Sequence, residues 1–258
     1  MSTSYLTEKI TKALAQGRKA VMPYLPAGYP TKEAFWKHID DLDAAGADII
    51  EIGVPFSDPV ADGPVVEQAA LCCLEQNVNL AWILEELHRR RPTIQAGIVL
   101  MGYMNPFLQY GMDKLARDAA RAGVNGLIIA DLPLEESNGP RKLLQEHGVD
   151  LIPLVGLNSS PERLRAHAEE ATGFVYFVSV MGTTGVREAL PEQLQDALTQ
   201  AKQIFPIPLA LGFGLHAPSQ LQGVESVVDG VVMGSALIRH IDSTGSVGSF
   251  LAPWIDSQ

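Results

Sequence analysis

The sequence predicts an α/β fold, a single (β/α)8 TIM barrel with an extra N-terminal helix. Three observations predict it. Eight short, mostly apolar runs are each bounded by turn residues, a helix-like stretch follows each run, and the last two runs end in glycine-rich turns.

The runs are Val21 to Leu25, Ile49 to Gly53, Gly97 to Met101, Gly126 to Ala130, Leu151 to Val155, Phe174 to Val180, Pro208 to Gly212 and Gly230 to Gly234. They are continuously apolar rather than alternating, as suits parallel strands covered by helices outside and closed by side chains inside. The helix-like stretches are Lys32 to Ala45, Val65 to Arg90, Leu108 to Ala122, Leu134 to His147, Pro161 to Ala171, Pro191 to Phe205, Pro218 to Val224 and Ser235 to Trp254. A doubly wound open sheet is the alternative. It usually needs fewer units and a glycine-rich first turn, where this chain has Pro26-Ala27-Gly28-Tyr29-Pro30. The first helix, Ser4 to Gln16, then covers the barrel floor. Neither a linker nor a further repeat divides the chain, so residues 1–258 are expected to form one domain.

At 258 residues and 47% hydrophobic, the chain can bury a large core. Its net charge of −11 opposes a nucleic-acid partner, because binding a polyanion relies on Lys and Arg. The basic cluster His88-Arg89-Arg90-Arg91 sits where a helix should end, and cations there complement the helix dipole. Cys72 and Cys73 are adjacent, which disfavours a mutual disulfide and suits free thiols in a reducing compartment. No Cys/His array accompanies them, so no metal is expected. Met1 to Gly17 is polar and amphipathic rather than a leader, and no apolar run has the length of a membrane span. A soluble, unprocessed, cytoplasmic protein is the expectation.

In such barrels the chemistry sits at the C-terminal ends of the strands. Glu51 lies alone in the apolar run Ile49-Ile50-Glu51-Ile52-Gly53, where desolvation would raise its pKa and hold a proton near neutral pH. An outward Glu paired with a helix cation is the competing explanation. The loop Val54 to Pro64 is rich in proline and acid, as a lid at the mouth would be, and Asp58 and Asp62 in it also fit turn or N-cap roles. Ser179 to Arg187 offers glycine and threonine donors for an anion, or an ordinary turn. Leu211-Gly212-Phe213-Gly214 and Val232-Met233-Gly234-Ser235-Ala236 each lead towards a helix, at the two positions where barrels often bind phosphate. The residues alone describe a barrel enzyme acting on a small phosphate ester with a carboxyl acid/base pair.

The run Ile50 to Gly63, I-E-I-G-V-P-F-S-D-P-V-A-D-G, resembles the signature of tryptophan synthase α subunits. The resemblance continues through Pro23-Tyr24-Leu25, Met101 to Pro106, Ala130-Asp131-Leu132-Pro133, Thr184-Gly185, Gly212-Phe213-Gly214 and Gly234-Ser235-Ala236. It implies a lyase of tryptophan biosynthesis that splits indole-3-glycerol phosphate into indole and glyceraldehyde 3-phosphate. By it, Glu51 and Asp62 match the two catalytic acids and Tyr176 lies beside the reacting centre. Tyr24, Met101, Ile128, Ala130 and Phe213 match an apolar slot for indole, for each of which barrel core is an equal explanation. Thr184 matches a loop residue that fixes the aspartate. Gly185, Gly214, Gly234 and Ser235 match the phosphate positions.

The resemblance also implies a β-subunit partner, in an α2β2 heterotetramer, which holds pyridoxal phosphate. None is expected in this chain, which has no strand-end lysine suited to a Schiff base. Loops around Pro55 to Asp58 and Asn105 to Phe107 match surfaces that face the partner. The chain departs from the family at Pro26, Tyr29, Val155 to Ser160, Met181 and Thr183, which bears on loop closure and partner response, and it carries Trp36, Trp82 and Trp254. Three other readings stay open: a stand-alone lyase, another phosphate-sugar barrel such as an isomerase or epimerase, and a non-catalytic subunit that binds the ester and regulates a partner.

Overall fold

A computed structural model describes residues 4–179, 193–212 and 214–255. In chain order its elements are α1 (Tyr5–Ala15), β1 (Ala20–Pro26), α2 (Lys32–Ala44), β2 (Ile49–Gly53), α3 (Pro64–Glu75), α4 (Leu80–Arg90), β3 (Gly97–Gly102), α5 (Met104–Tyr110), α6 (Met112–Arg121), β4 (Gly126–Ile129), α7 (Asn138–Glu146), β5 (Asp150–Leu151), β6 (Leu154–Gly156), α8 (Pro161–Ala168), β7 (Val175–Val178), α9 (Leu194–Ile204), β8 (Leu209–Gly212), β9 (Gly230–Met233), α10 (Ser235–Thr244) and α11 (Ala252–Ile255).

Every described strand pair is parallel, in the order β5-β4-β3-β2-β1-β9-β8-β7-β6. The two ends of that order meet, because only Ile152 and Pro153 separate β5 from β6. Proline has no N–H to give to a ladder, so one strand position is split into two short halves. Ile152 N–H still reaches Leu127 O at 2.9 Å on one side, and Pro153 O accepts Tyr176 N–H at 3.0 Å on the other. The nine short strands therefore occupy eight positions of a closed barrel.

Alternation along the strands separates two cores. Met22, Ile49, Val99, Ile128, Phe174, Ala210 and Val232 cluster inside the barrel. Their neighbours Val21, Ile50, Ile98, Leu127, Val175, Leu209 and Val231 pack outward under the helices. Leu6, Ile10 and Ala13 of α1 join the inner cluster, so the N-terminal helix plugs the floor. Ser4 caps α1 by accepting Leu6 N–H and also donates to Asp150, while Thr7 Oγ1 donates to Gly173 O.

Several helix-like stretches are shorter or more broken than expected. Val65 to Arg90 divides into α3 and α4, because Asn77 takes φ 58° and Asn79 caps a new helix by accepting Trp82 N–H. Leu108 to Ala122 divides at Gly111, whose φ of 91° breaks the helical path, and the first half starts early at Met104. Pro218 to Val224 is only a 3₁₀ turn over Pro218–Leu221, and α10 stops at Gly245 well before Trp254. A 3₁₀ turn, Leu134–Glu136, also precedes α7. The basic cluster does close α4: Arg90 stacks over Trp36, and Arg91 donates to the carbonyls of Gly123 and Ile94. Cys72 is half-buried, Cys73 is buried, and both are free thiols.

Candidate active site

Glu51 follows Ile49 by two residues, so both point into the barrel. In register it stands between Tyr24 of β1 and Val99 of β3. It is 0% exposed, and neither carboxyl oxygen has a hydrogen-bond partner. Burial pushes its pKa up to about 8, so it is a neutral acid at pH 7. An outward, ion-paired Glu51 is therefore ruled out.

Asp62 lies two residues before α3 and is half-buried. Burial pushes its pKa up to about 6, a hydrogen bond from Tyr103 opposes that rise, and Glu67 on α3 adds to it. At pH 7 most of it stays ionised. One carboxyl group thus holds a proton while the other is ready to accept one, the division of labour that acid–base chemistry needs.

Two tyrosines frame these acids. Burial, then the charges of Asp62 and Glu51 among others, push the Tyr24 hydroxyl well up; burial, then Glu51 and Asp62, do the same to Tyr176. Both rings lie where glycine leaves room: a methyl group on Gly53 would overlap the Tyr24 ring, and one on Gly212 would overlap the Tyr176 ring. The Tyr24 ring also reaches Gly234, where an added methyl would stand 3.0 Å from Cδ1. Met101 stands in register between Gly53 and Ile128. Met101 is half-buried, Ile128 is buried inside the barrel, and Ala130 is half-buried with its N–H on Gly102 O at 2.9 Å.

Gly234 is the N-cap of α10 and Ser235 its first residue, with no side-chain cap on the first-turn amides, which leaves donors suited to an anion. Gly214 is half-buried at φ 79°, and its carbonyl accepts Gln220 Nε2 at 3.1 Å. Thr184, Gly185 and Phe213, and the altered Met181 and Thr183, lie outside the described residues. Of the other departures, Pro26 ends β1, and Tyr29 donates to Asp242, tying the loop after β1 to α10. Asp58 is exposed beside Ser57.

Tyr103 also reaches this site, although no motif in the sequence singles it out. It directly follows β3, so the strand-end rule could have found it, but its contacts with residues 61 and 62 arise only in the folded barrel. Among the described residues no group of three or more His, Cys, Asp or Glu is placed to hold a metal ion, and no helix is long and apolar enough to cross a membrane.

A parallel barrel whose mouth joins a buried neutral carboxyl, an ionised partner and a helix N-terminus defines the class: a small-molecule acid–base barrel. The family model described as tryptophan synthase alpha chain matches residues 10–248. The tryptophan synthase alpha chain of Solidesulfovibrio magneticus is 59% identical over 254 residues, 98% of this chain and 99% of that one. That of Maridesulfovibrio salexigens is 55% identical over 98% and 100%. Among solved structures, tryptophan synthase from Mycobacterium tuberculosis superposes with TM-score 0.89 at 35% identity, covering 98% of this chain and 99% of that one. The alpha subunit from Legionella pneumophila gives 0.88 at 31%, covering 99% and 98%. The chain belongs to the tryptophan synthase alpha chain family.

Proposed function

We propose that this chain, working as one barrel domain, cleaves indole-3-glycerol phosphate to indole and glyceraldehyde 3-phosphate, as the alpha subunit that serves a β partner in tryptophan biosynthesis. The observation that carries this reading is Glu51: a fully buried carboxyl, facing the barrel interior, with both oxygens unpartnered and a proton held near neutral pH.

Carbon–carbon cleavage leaves its electron pair on indole C3, and the ring leaves well only after C3 is protonated. Glu51 gives that proton. The ring becomes a cationic indolenine, whose N–H the ionised Asp62 accepts and stabilises. The Glu51 carboxylate then takes the proton of the adjacent glycerol hydroxyl. That oxygen becomes the aldehyde oxygen, and the bond's electrons return to the ring as free indole. Tyr176 flanks Glu51, and Tyr24, Met101, Ile128 and Ala130 supply the flat slot that an aromatic substrate needs, a role the family resemblance also gives Phe213. The first-turn amides of α10, with Gly234, Ser235 and Gly214, take the phosphate, and the family resemblance gives Gly185 the same role and Thr184 that of fixing the aspartate.

The partner is assigned to the side carrying the loop after β2 and helix α5. There a cleft of about 560 Å³ is lined by Phe56, Asp58, Asn79, Asn105 and Gln109 among others, with Leu108 exposed nearby in the chain. Pyridoxal phosphate belongs to that β partner in this reading. The test measures indole released from indole-3-glycerol phosphate, with and without a β subunit. Release that rises with the partner supports the assignment, and strong release indifferent to it favours a stand-alone lyase. Absence of cleavage, or failure to bind indolepropanol phosphate, overturns the substrate.

A further inference from the structure

Resting on the acid–base reading above, we propose that Tyr103 is a positioning residue for Asp62, its hydroxyl clamping the end of the loop after β2 and aiming that carboxylate at the barrel mouth. Tyr103 is 4% exposed. Its Oη accepts Ala61 N–H at 3.0 Å, the amide next to Asp62, and from there the hydroxyl lowers the Asp62 pKa. A phenol can do both at once, donating its proton to the carboxylate while a lone pair receives the amide. Its ring packs on Phe56 with centroids 5.4 Å apart, so one side chain grips the loop at both ends.

The other hydrogen bonds described for residues 57–62 run within the loop: Val60 N–H to Asp58 O, Asp62 N–H to Pro59 O, and Ser57 to the Asp58 carboxylate. The Tyr103 hydroxyl is thus the described polar tether between this stretch and the barrel. Tyr103 is itself held from behind. The next residue, Met104, gives its N–H to the Asp131 carboxylate at 2.7 Å and begins α5. Phe56 and the start of α5 are thus joined to the residues beside Asp62 through one ring.

The described neighbours of Asp62 are acids and phenols. Glu67 from α3 raises its pKa, Tyr24 from β1 lies close, and Glu51 and Tyr176 share the same surroundings; Asp131 faces the tyrosine. Of the described groups, the Tyr103 O–H is the one that lowers the Asp62 pKa.

Tyr103→Phe keeps the ring and removes the clamp. We expect its kcat for indole formation to fall by about 10- to 100-fold, as for loss of one oriented catalytic contact. KM should stay within about threefold, and the acid limb of the kcat profile should move up by about one pH unit, as loss of a hydrogen bond to a carboxylate requires. Indolepropanol phosphate binding serves as the check that the pocket is intact. Combined with Asp62→Asn, the tyrosine substitution should add little, because the two groups act as a unit. An unshifted acid limb, or losses that multiply in the double variant, would overturn the inference. Full activity in Asp62→Asn alone would instead sink the role given to the aspartate, so the two failures are distinguishable.

Discussion

The floor and the mouth of the barrel treat buried carboxyl groups in opposite ways. At the floor, Asp48 accepts two hydrogen bonds from Arg18, at 2.6 and 2.9 Å, and another from Val21 N–H. Asp229 pairs with Lys202 and accepts Leu209 N–H, and Asp150 accepts Ser4. At the mouth, Glu51 is more deeply buried than any of these and has no hydrogen-bond partner among the described residues. A charge that is paired can stay a charge and tie elements together; a carboxyl left alone keeps its proton instead. Pairing builds the scaffold at one end, and in the proposed mechanism its absence prepares chemistry at the other, as the two faces of such barrels generally divide stability from catalysis.

The largest effect should break this comparison most cleanly. Glu51→Gln is expected to cut kcat by on the order of a thousandfold, the range of general acid catalysis, while leaving analogue binding and folding intact. Asp48→Ala should do the reverse. Stranding Arg18, it should cost about 3 kcal/mol in urea unfolding, while kcat per folded molecule stays within about twofold. A Glu51→Gln variant that unfolds, or an Asp48→Ala variant that is stable and inactive, would erase the distinction.

The next effect is in pH. With Glu51 near 8 and Asp62 near 6, kcat should be bell-shaped, falling about tenfold per unit below the lower value as Asp62 is protonated and above the higher as Glu51 ionises. Stability has its own sign. Glu51 has a folded pKa above its unfolded value of 4.5, so between that value and about 8 the unfolded chain ionises while the native one does not. Unfolding free energy should fall with rising pH by at most about 1.4 kcal/mol per unit from this group, and chemical denaturation of Glu51→Gln should show a shallower slope.

The smallest effect belongs to the plug. Ser4→Ala removes both the α1 cap and the hydrogen bond to Asp150, and should lower stability by about 1 kcal/mol with no change in kcat. A change in the pH profile there would mean that floor and mouth are coupled.

Much of this was legible beforehand because barrel strands are written locally. Ile49 to Gly53 matches β2 residue for residue, and a lone Glu in an apolar strand announces its own desolvation. Helix interruptions were harder to read. Nothing in the periodicity of Val65 to Arg90 reveals that Asn77 turns left-handed, because Gln76 on that turn is held by distant carbonyls at Gly28 and Pro30. The split at Pro153 was readable in principle from the missing donor.

By itself, then, the sequence determined the barrel, the burial of Glu51 and the glycines at the strand ends, since each depends on a residue's own chemistry and its immediate neighbours. Tertiary structure alone decided that the Tyr24 and Tyr176 rings lie over Gly53 and Gly212, and that Tyr103 reaches Ala61 and Asp62. Those contacts join separate strands and loops, and no local rule fixes a meeting between residues some 40 positions apart until the chain has closed around its core.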